Sequence, residues 1–147
     1  WSVVHQNACA MVIPWDGERF TLVGLYRYPI DRYSWEFPSG SVVGVTMDEA
    51  AKRELQEEAG LIAENYERLG DFYLENGTTT QSMDLYVATG LRTTETEHDD
   101  GEEGMKSRQV SLSELYEMVN DGIIKDGPTI AAIGYLHSSG WIKRQGI

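Results

Sequence analysis

Residues 40–61 read GSVVGVTMDEAAKRELQEEAGL, and this stretch predicts a helix with two well-marked ends. Thr46 followed three residues later by Glu49 has the pattern of a capping box, and Gly60 followed by Leu61 is a typical C-terminal stop. Between these ends, apolar residues recur at four-residue steps, which predicts a buried stripe along one face. The stripe consists of Met47, Ala51, Leu55 and Ala59.

Three glutamates crowd one face of this predicted helix. Glu54, Glu57 and Glu58 stand at positions i, i+3 and i+4, where side chains are neighbours and like charges destabilise a helix. The simpler interpretation is a solvated face whose carboxylates pair with Lys52 and Arg53. The alternative is that the carboxylates share a cation.

A divalent cation would turn the repulsion into attraction. The glutamates border the apolar stripe, which places them at the edge of a groove rather than on the far side of the helix. Just upstream, Ser39, Gly40 and Gly44 lie in a tight loop whose backbone carbonyls can also face a cation. Carboxylates and carbonyls are the hard oxygen ligands that Mg²⁺ and Mn²⁺ prefer, so we predict a candidate metal site here.

Composition limits the class of protein. The 147 residues, of which 41% are hydrophobic, suffice for a real core, so we predict a single domain over residues 1–147. A formal charge of −12 argues against a nucleic-acid surface, which needs clustered Lys and Arg. We expect no membrane segment, because no apolar stretch is long enough to span a bilayer. No basic leader precedes the first apolar run, and the single cysteine, Cys9, fits a buried thiol in a reducing compartment, so we predict a cytoplasmic location.

The order of the predicted elements indicates the fold class. An Asp16-Gly17 pair predicts a hairpin between the first two strands. A later helix begins at Ser111 with Glu114 as a second capping box, and a final helix has Pro128 in its first turn. The predicted strands lie in residues 8–13, 20–28, 33–40, 66–75, 82–91 and 107–110, and the final helix is expected to turn Ile130, Ile133 and Leu136 inward. Strands first, one helix in the middle and helices last predict an α/β (α+β) fold, with a mixed β-sheet covered by helices.

The stretch 40–61 resembles the signature of the Nudix hydrolases, G-x5-E-x7-R-E-U-x-E-E-x-G-U, in which U is aliphatic. Residues 53–61 match this signature at every specified position. The first half departs from it, because one residue is missing after Gly40 and Val45 stands where the signature has a glutamate. That glutamate typically interacts with the signature arginine, so the resemblance implies that Arg53 lacks this partner. It also implies an α/β/α sandwich with a mixed sheet between helices.

The flanking segments resemble the ADP-ribose and nucleoside-diphosphate-sugar pyrophosphatases. Residues 25–40, LYRYPIDRYSWEFPSG, are similar to the Arg-aromatic-Pro and Trp-Glu-x-Pro stretches of that branch, and residues 84–91 and 126–136 are similar to its later segments. One departure is that residues 76–79, NGTT, lack the proline of the usual Pro-Gly pair. The implied reaction is Mg²⁺-dependent hydrolysis of a nucleoside diphosphate linked to a sugar, ADP-ribose first among them, giving AMP and ribose 5-phosphate.

The resemblance also implies roles for single residues. Glu54, Glu57, Glu58 and the carbonyl of Ser39 would hold Mg²⁺, or Mn²⁺, against the diphosphate, and Glu57 and Glu58 would be catalytic. The implied substrate-binding residues are Arg27, Tyr28, Arg53 and Gly40. For Arg27, a contact to the diphosphate and a plain surface salt bridge are equally favoured, and Trp35 and Tyr28 either flank a nucleobase or belong to the core.

The acidic segment 95–104, ETEHDDGEEG, lies before the second capping box. A solvated acidic turn is the ordinary interpretation of such a run. In the ADP-ribose branch this segment supplies a glutamate that acts as base or further metal ligand, and alignment favours Glu103, with Glu102 adjacent to it. His98 is a further possible base, although a single loop histidine is more often solvated.

Two other functions remain open from the sequence. One is a pyrophosphohydrolase for nucleoside triphosphates, and the other is a Nudix-fold sensor that binds a metabolite without cleaving it. The complete motif at residues 53–61 favours an enzyme over a sensor. The resemblance further implies a homodimer, although the first core strand begins so near the start of the sequence that we expect the family's N-terminal site-lining segment to be missing.

Overall fold

The computed structural model describes residues 2–94 and 105–147, so the acidic segment with Glu102 and Glu103 lies outside the described residues. The strands are β1 (Cys9–Pro14), β2 (Phe20–Arg27), β3 (Arg32–Glu36), β4 (Ser39–Ser41), β5 (Leu61–Tyr73), β6 (Ser82–Thr93) and β7 (Lys106–Val110). The helices are α1 (Met47–Ala59), α2 (Leu112–Asn120), α3 (Gly127–Ser138) and α4 (Trp141–Gln145), and a short 3-10 helix covers Tyr28–Ile30.

The strands form two sheets. The first is four-stranded, in the order β4-β1-β6-β5, and its central pair β1–β6 is parallel while the other pairs are antiparallel. The second is a three-stranded antiparallel sheet in the order β3-β2-β7. The predicted mixed sheet is therefore present, and the structure adds a second sheet that the sequence analysis did not separate from it.

The predicted first hairpin forms only at its turn. The Asp16 side chain accepts hydrogen bonds from the backbone amides of Glu18 and Arg19 at 2.8 and 2.7 Å. Beyond this turn a bridge between Trp15 and Phe20 joins the strands, which then enter different sheets. The prediction that β1 and β2 pair as a hairpin is wrong because every residue of β1 is buried, which is typical of a central strand with neighbours on both sides.

Helix α1 covers one face of the mixed sheet. Both halves of the predicted capping box form, since Thr46 accepts from the Glu49 amide at 3.2 Å and the Glu49 carboxylate accepts from the Thr46 amide at 3.1 Å. The predicted stripe packs against the sheet, with Ala51 and Leu55 fully buried and the end residues partly buried. The other face carries a larger core shared with the second sheet and with α2, α3 and α4. The helices thus enclose the sheets on both sides, as in the predicted sandwich.

Helix α3 differs in one detail from the prediction. Ile133 and Leu136 are buried as expected, but Ile130 is 40% exposed. Thr129 takes the inward position instead, because its hydroxyl accepts a hydrogen bond from the backbone amide of Phe37 at 3.2 Å. The expectation that Ile130 turns inward is therefore wrong.

An aromatic cluster closes the end of the molecule at which β1 ends. Trp141 of α4, a helix that the sequence analysis did not predict, packs against Trp15 and Phe20 with ring centroids 5.5 and 6.0 Å away. Trp15 and Phe20 are 4.6 Å from each other. Among residues 2–94 and 105–147, no helix combines the length and the apolar character that crossing a bilayer requires.

Candidate active site

Helix α1 and strand β4 bring the central acidic residues together. Glu54 lies against Gly40 so closely that a Cβ atom at Gly40 would overlap the Glu54 carboxyl group. Glu58, one turn later on the same face, lies within hydrogen-bonding reach of Glu54 and faces the backbone amide of Ser39. Four of the sequence-predicted site residues therefore meet at the junction of β4 and α1. We call Glu54 and Glu58 the site glutamate pair.

The site glutamate pair holds more negative charge than its surroundings neutralise. Burial, followed by the charge of Glu54, raises the pKa of Glu58 to about 9, and the nearby Glu36 adds to this shift. Burial is also the main cause that raises the pKa of Glu54, against the favourable charge of Arg53. Both shifts are in the direction that favours a proton on the pair when no counter-ion is present. A cation bound between the two carboxylates would take the place of that proton.

Arg53 has partners that the sequence analysis did not foresee. One of its terminal nitrogens, Nη2, donates to the backbone carbonyl of Ser41 at 3.0 Å and lies 3.4 Å from Oε1 of Glu54. Arg53 lacks the signature glutamate as a partner, since Val45 stands at that position, and the backbone carbonyl of Ser41 is its acceptor instead. Val45, where that glutamate would stand, instead packs its side chain against the core under α1.

Glu57 lies at the rim of this arrangement. Its side chain is exposed, and its charge acts on Glu54. Within residues 2–94 and 105–147, no three Asp, Glu, His or Cys side chains already converge as a preformed metal site. The donor set nonetheless fits a hard divalent ion, since two carboxylates lie side by side, a third is adjacent, and Gly40 leaves room for close approach. Ser39, the remaining predicted ligand, lies in β4 with its backbone next to Glu58.

Arg27 is held by a carboxylate that the sequence analysis did not assign. Its Nε and Nη2 atoms donate to the two oxygens of Glu36 at 2.9 and 2.6 Å. Glu36 is only 4% exposed, while Arg27 is near enough to Glu58 for the two charges to interact. The salt bridge to Glu36 is therefore present, and it holds the guanidinium where its charge still acts on Glu58. Alternation along β3 could have revealed Glu36, because an acid on the inward face of a strand requires a partner.

The start of α3 is tied to the strand that carries Glu36. Asp126 caps the helix by accepting from the amide and hydroxyl of Thr129 at 3.1 and 2.7 Å, and Thr129 in turn binds the amide of Phe37. Burial and the charge of Glu36 raise the pKa of Asp126. A second acid missed in the sequence analysis thus lies beside Arg27. An N-cap aspartate before Pro128 is a recognisable signal for this helix start.

The remaining predicted residues are less enclosed. Tyr28, at the start of the 3-10 helix, is 85% exposed, so it is not a core residue. Trp35 is half-buried against the core, with its ring 5.5 Å from that of Tyr33. Glu102 and Glu103 fall outside the described residues, and so does His98.

Comparison with known proteins identifies the family to which this fold and this site belong. Residues 5–132 match the model of the NUDIX domain. The chain belongs to the Nudix family and is a Nudix hydrolase. Members of this family generally need a divalent metal ion.

Two relatives and one solved structure show which members of the family this chain is similar to. The chain is 32% identical over 141 residues to the ADP-ribose pyrophosphatase of Mycobacterium tuberculosis, an alignment that covers 92% of this chain and 67% of the relative. It is 28% identical over 136 residues to the ADP-ribose pyrophosphatase of Bacillus subtilis, covering 91% and 74%. The crystal structure of an ADP compounds hydrolase superposes with a TM-score of 0.84 at 23% identity, covering 95% of this chain and 74% of that one. This structural likeness establishes the fold, and the predicted α/β/α sandwich is confirmed.

Proposed function

We propose that this Nudix hydrolase cleaves the diphosphate of ADP-ribose with water, giving AMP and ribose 5-phosphate. The observation that carries the proposal is the position of Arg27, a guanidinium fixed by Glu36, beside the site glutamate pair. A diphosphate needs cationic partners, and this junction combines one oriented arginine with a set of oxygen ligands for divalent ions. The relatives named as ADP-ribose pyrophosphatases support the choice of substrate.

The metal ligands are assigned from the geometry and the resemblance together. Glu54, Glu57, Glu58 and the carbonyl of Ser39 would hold the ion, and Mg²⁺ is the preferred metal, with Mn²⁺ as a substitute. When bound, the ion neutralises phosphate charge and makes water a stronger nucleophile. Its positive charge also reduces, at the site itself, the repulsion between an anionic substrate and a chain of net charge −12.

The protein's own side chains orient the reactants. Because Nε and Nη2 of Arg27 bind Glu36, Nη1 is left for a phosphate oxygen. Arg53 fixes Glu54 from the side of Ser41, and Gly40 lets the substrate and the carboxylate approach the backbone. Tyr28 would flank the nucleobase.

The acidic segment would supply the base. Glu103, or Glu102 beside it, would accept the proton of the attacking water, as the family resemblance implies. We further propose that residues 1–147 act as one domain, and that the enzyme works as a homodimer in the reducing cytoplasm without nucleic-acid or membrane partners. The buried, unpaired thiol of Cys9 is consistent with that compartment.

A substrate panel tests this function. The protein would be incubated with Mg²⁺ and ADP-ribose, GDP-linked sugars or nucleoside triphosphates. For the sugar-linked substrates the products would be counted as phosphate released by an added phosphatase, and for the triphosphates as nucleoside monophosphate separated by chromatography. We expect ADP-ribose to give the highest kcat/KM, and Glu54→Gln to abolish the signal. A preference for triphosphates would support the alternative pyrophosphohydrolase, and tight binding of ADP-ribose without hydrolysis would support a sensor.

A further inference from the structure

A cavity of about 470 Å³ lies at the end of the molecule where β1 ends, between the Asp16-Gly17 turn, strands β5 and β6 and helix α4. Its volume is within the range of small-molecule pockets. Its aromatic and polar lining residues are Trp15, Asp16, Glu67, Thr89, Trp141 and Gln145.

The cavity is remote from the candidate active site. Trp15 forms a bridge with Phe20, the first residue of β2, and Arg27 is the last residue of that strand. The two ends of an extended strand of this length are about 23 Å apart. The lining residues of the cavity and the predicted site residues are also different sets. The cavity is therefore a separate feature of the molecule.

The two charged residues that line this cavity are both acids. The Oδ1 atom of Asp16 accepts the backbone amides of Glu18 and Arg19, which leaves Oδ2 as a further acceptor. Within the part of the chain that the structure describes, no Lys, Arg or His forms a salt bridge with Asp16, whereas Glu67 is paired with Arg144 at 2.8 Å. The cavity therefore carries a net negative charge, which disfavours nucleotides and other anions and favours a cation.

Two tryptophans supply this cavity with aromatic surface and with hydrogen-bond donors. Trp15 and Trp141 are only 5% and 2% exposed. Among residues 2–94 and 105–147, neither indole N–H has an acceptor, yet neither nitrogen is fully closed off from the surface. A nearly buried donor without a protein acceptor favours a ligand that brings an acceptor of its own. Indole is also the aromatic group that attracts a cation most strongly.

We propose that this cavity binds a small organic cation, in which an ammonium group is joined to an aromatic or apolar body that also carries an oxygen acceptor. Asp16 and Glu67 would hold the ammonium group, and an indole N–H would donate to the oxygen. The body of the ligand would lie against Val87 and the tryptophan rings. This site goes beyond the proposed diphosphate hydrolysis and does not depend on it.

Three probes that share a phenol and a short side chain test the requirement for a positive charge. The side chain of tyramine ends in an ammonium group, that of tyrosol in a hydroxyl group, and that of 4-hydroxyphenylacetate in a carboxylate. Calorimetric titrations at neutral pH would be made with Mg²⁺ present, so that the acids of the candidate active site are not free to bind the probe. We expect tyramine to bind at least about tenfold more tightly than tyrosol, the effect of a charge-assisted hydrogen bond, and 4-hydroxyphenylacetate not to bind.

Substitutions in the cavity test its location. Asp16→Asn keeps the acceptor oxygen that the turn needs and removes the charge, so it should weaken tyramine binding about tenfold and leave tyrosol binding unchanged. Glu67→Gln should also weaken tyramine binding, because it removes an acid and leaves Arg144 without its carboxylate. Glu18→Gln makes the same charge change in the same turn but outside the cavity lining, so it is the matched control and should change neither constant.

Each contrary result overturns a stated part of the proposal. Equal binding of tyramine and tyrosol, or binding of the carboxylate, would show that the cavity does not select a cation. Equal effects of Asp16→Asn and Glu18→Gln would show that the probe binds elsewhere. A wild-type protein that does not bind tyramine refutes the site altogether. The substrate panel decides the proposed function independently, so failure of either proposal leaves the other standing.

Discussion

The site glutamate pair shows how a functional demand overrides local stability. Glu54 and Glu58 repel each other across one helical turn, and Glu36 adds a third negative charge nearby. A helix designed for stability alone would place an acid and a base at such positions. Retaining two carboxylates costs the metal-free protein free energy, which the proposed cation would restore on binding.

Glutamine substitutions should separate activity from stability. Glu58→Gln removes a proposed metal ligand and should lower turnover about a hundredfold or more. It also removes a buried carboxyl group that must keep a proton at neutral pH, so it should raise the free energy of unfolding of the metal-free protein. Glu57→Gln should lower turnover as well but stabilise less, since Glu57 is exposed. Phosphate release and thermal melts with and without Mg²⁺ measure both effects.

The control for these variants is Glu18→Gln, which makes the same charge change in the exposed turn after β1. It should leave turnover unchanged. Wild-type turnover in both Glu57→Gln and Glu58→Gln would show that the metal assignment is wrong.

The stability of the metal-free protein should depend on pH in a defined direction. The pKa of Glu58 is about 9 in the folded state, whereas an unfolded glutamate titrates near about 4.3. Between these values the folded state keeps a proton that the unfolded state has lost, so the free energy of unfolding falls as pH rises from about 5 to about 9. Denaturant melts in EDTA across this range measure the slope. Glu58→Gln should flatten it, and equal slopes in the two proteins would contradict the burial of this carboxyl group.

At the scale of elements, the contact between β4 and α1 depends on the absence of one side chain. The three atoms nearest to a Cβ atom at Gly40 all belong to the flexible end of Glu54, so the backbone can remain in place while the carboxylate moves. A methyl group added at Gly40 can therefore displace the Glu54 carboxylate without a comparable change in the fold.

Gly40→Ala should lower turnover about a hundredfold, the cost expected when a catalytic group is misplaced by about 1 Å. The free energy of unfolding should change by about 1 kcal/mol or less, the cost of shifting one rotamer. Gly77→Ala is the control, since no atom lies within 4 Å of its added Cβ. Circular dichroism melts measure the stability, and phosphate release measures the turnover. A large loss of stability in Gly40→Ala together with normal turnover would contradict the prediction that this change affects the site more than the fold.

The shortened connection between β4 and α1 supports Arg53 through the backbone. Val45→Glu should therefore not raise turnover, because Ser41 already occupies Arg53. It should lower the free energy of unfolding by about 1 kcal/mol, since Val45 is partly buried against the core. Val45→Thr keeps the shape without the carboxylate and separates the effect of polarity from that of charge. A strong gain in turnover with Val45→Glu would indicate that the natural protein is a decayed enzyme or a sensor.

Sequence patterns predicted those parts of the fold that depend on local chemistry. The ends of α1 were predictable because the side chains of Thr46 and Glu49 and the backbone amide of Gly60 satisfy free backbone groups of the helix itself. The separation of β1 and β2 into two sheets was not predictable, because it depends on the distant strand β6, which pairs with the edge of β1. The inward position of Glu36 could be read from the alternation along β3, but its partner Arg27 could not, because it lies on the neighbouring strand β2. Arg53 shows a third case, in which a backbone carbonyl replaces a side chain and leaves no trace in the sequence.

At the scale of the whole molecule, exposed apolar side chains gather where β2 and β3 connect. We call Tyr26, Tyr28, Ile30 and Tyr33 the hairpin patch, and their exposed fractions range from 36% to 85%. Contiguous apolar groups of this kind often mark contact surfaces, which supports the proposed homodimer.

Light scattering at micromolar concentration should therefore give twice the chain mass of 16.5 kDa. Tyr28→Asp, which places a charge in the centre of the hairpin patch, should shift the mass toward that of the single chain. Tyr73→Asp makes the same change at a 67% exposed tyrosine in β5 and should leave the dimer intact. A wild-type mass of 16.5 kDa, or equal effects of the two variants, would contradict a dimer built on this patch.

The central position of β1 has a consequence for the protein during its own synthesis. The ribosome releases this fully buried strand long before β6, since Cys9 and its hydrogen-bonding neighbour Gln81, next to β6, are 72 residues apart. Strand β4 and helix α1 emerge in between and can cover one edge and one face of β1, but the edge that pairs with β6 stays open until the long β5–β6 hairpin has left the exit tunnel. The nascent chain therefore exposes an unpaired, apolar strand edge for much of its translation. Chaperones or slower codons would have their largest effect on folding during this interval.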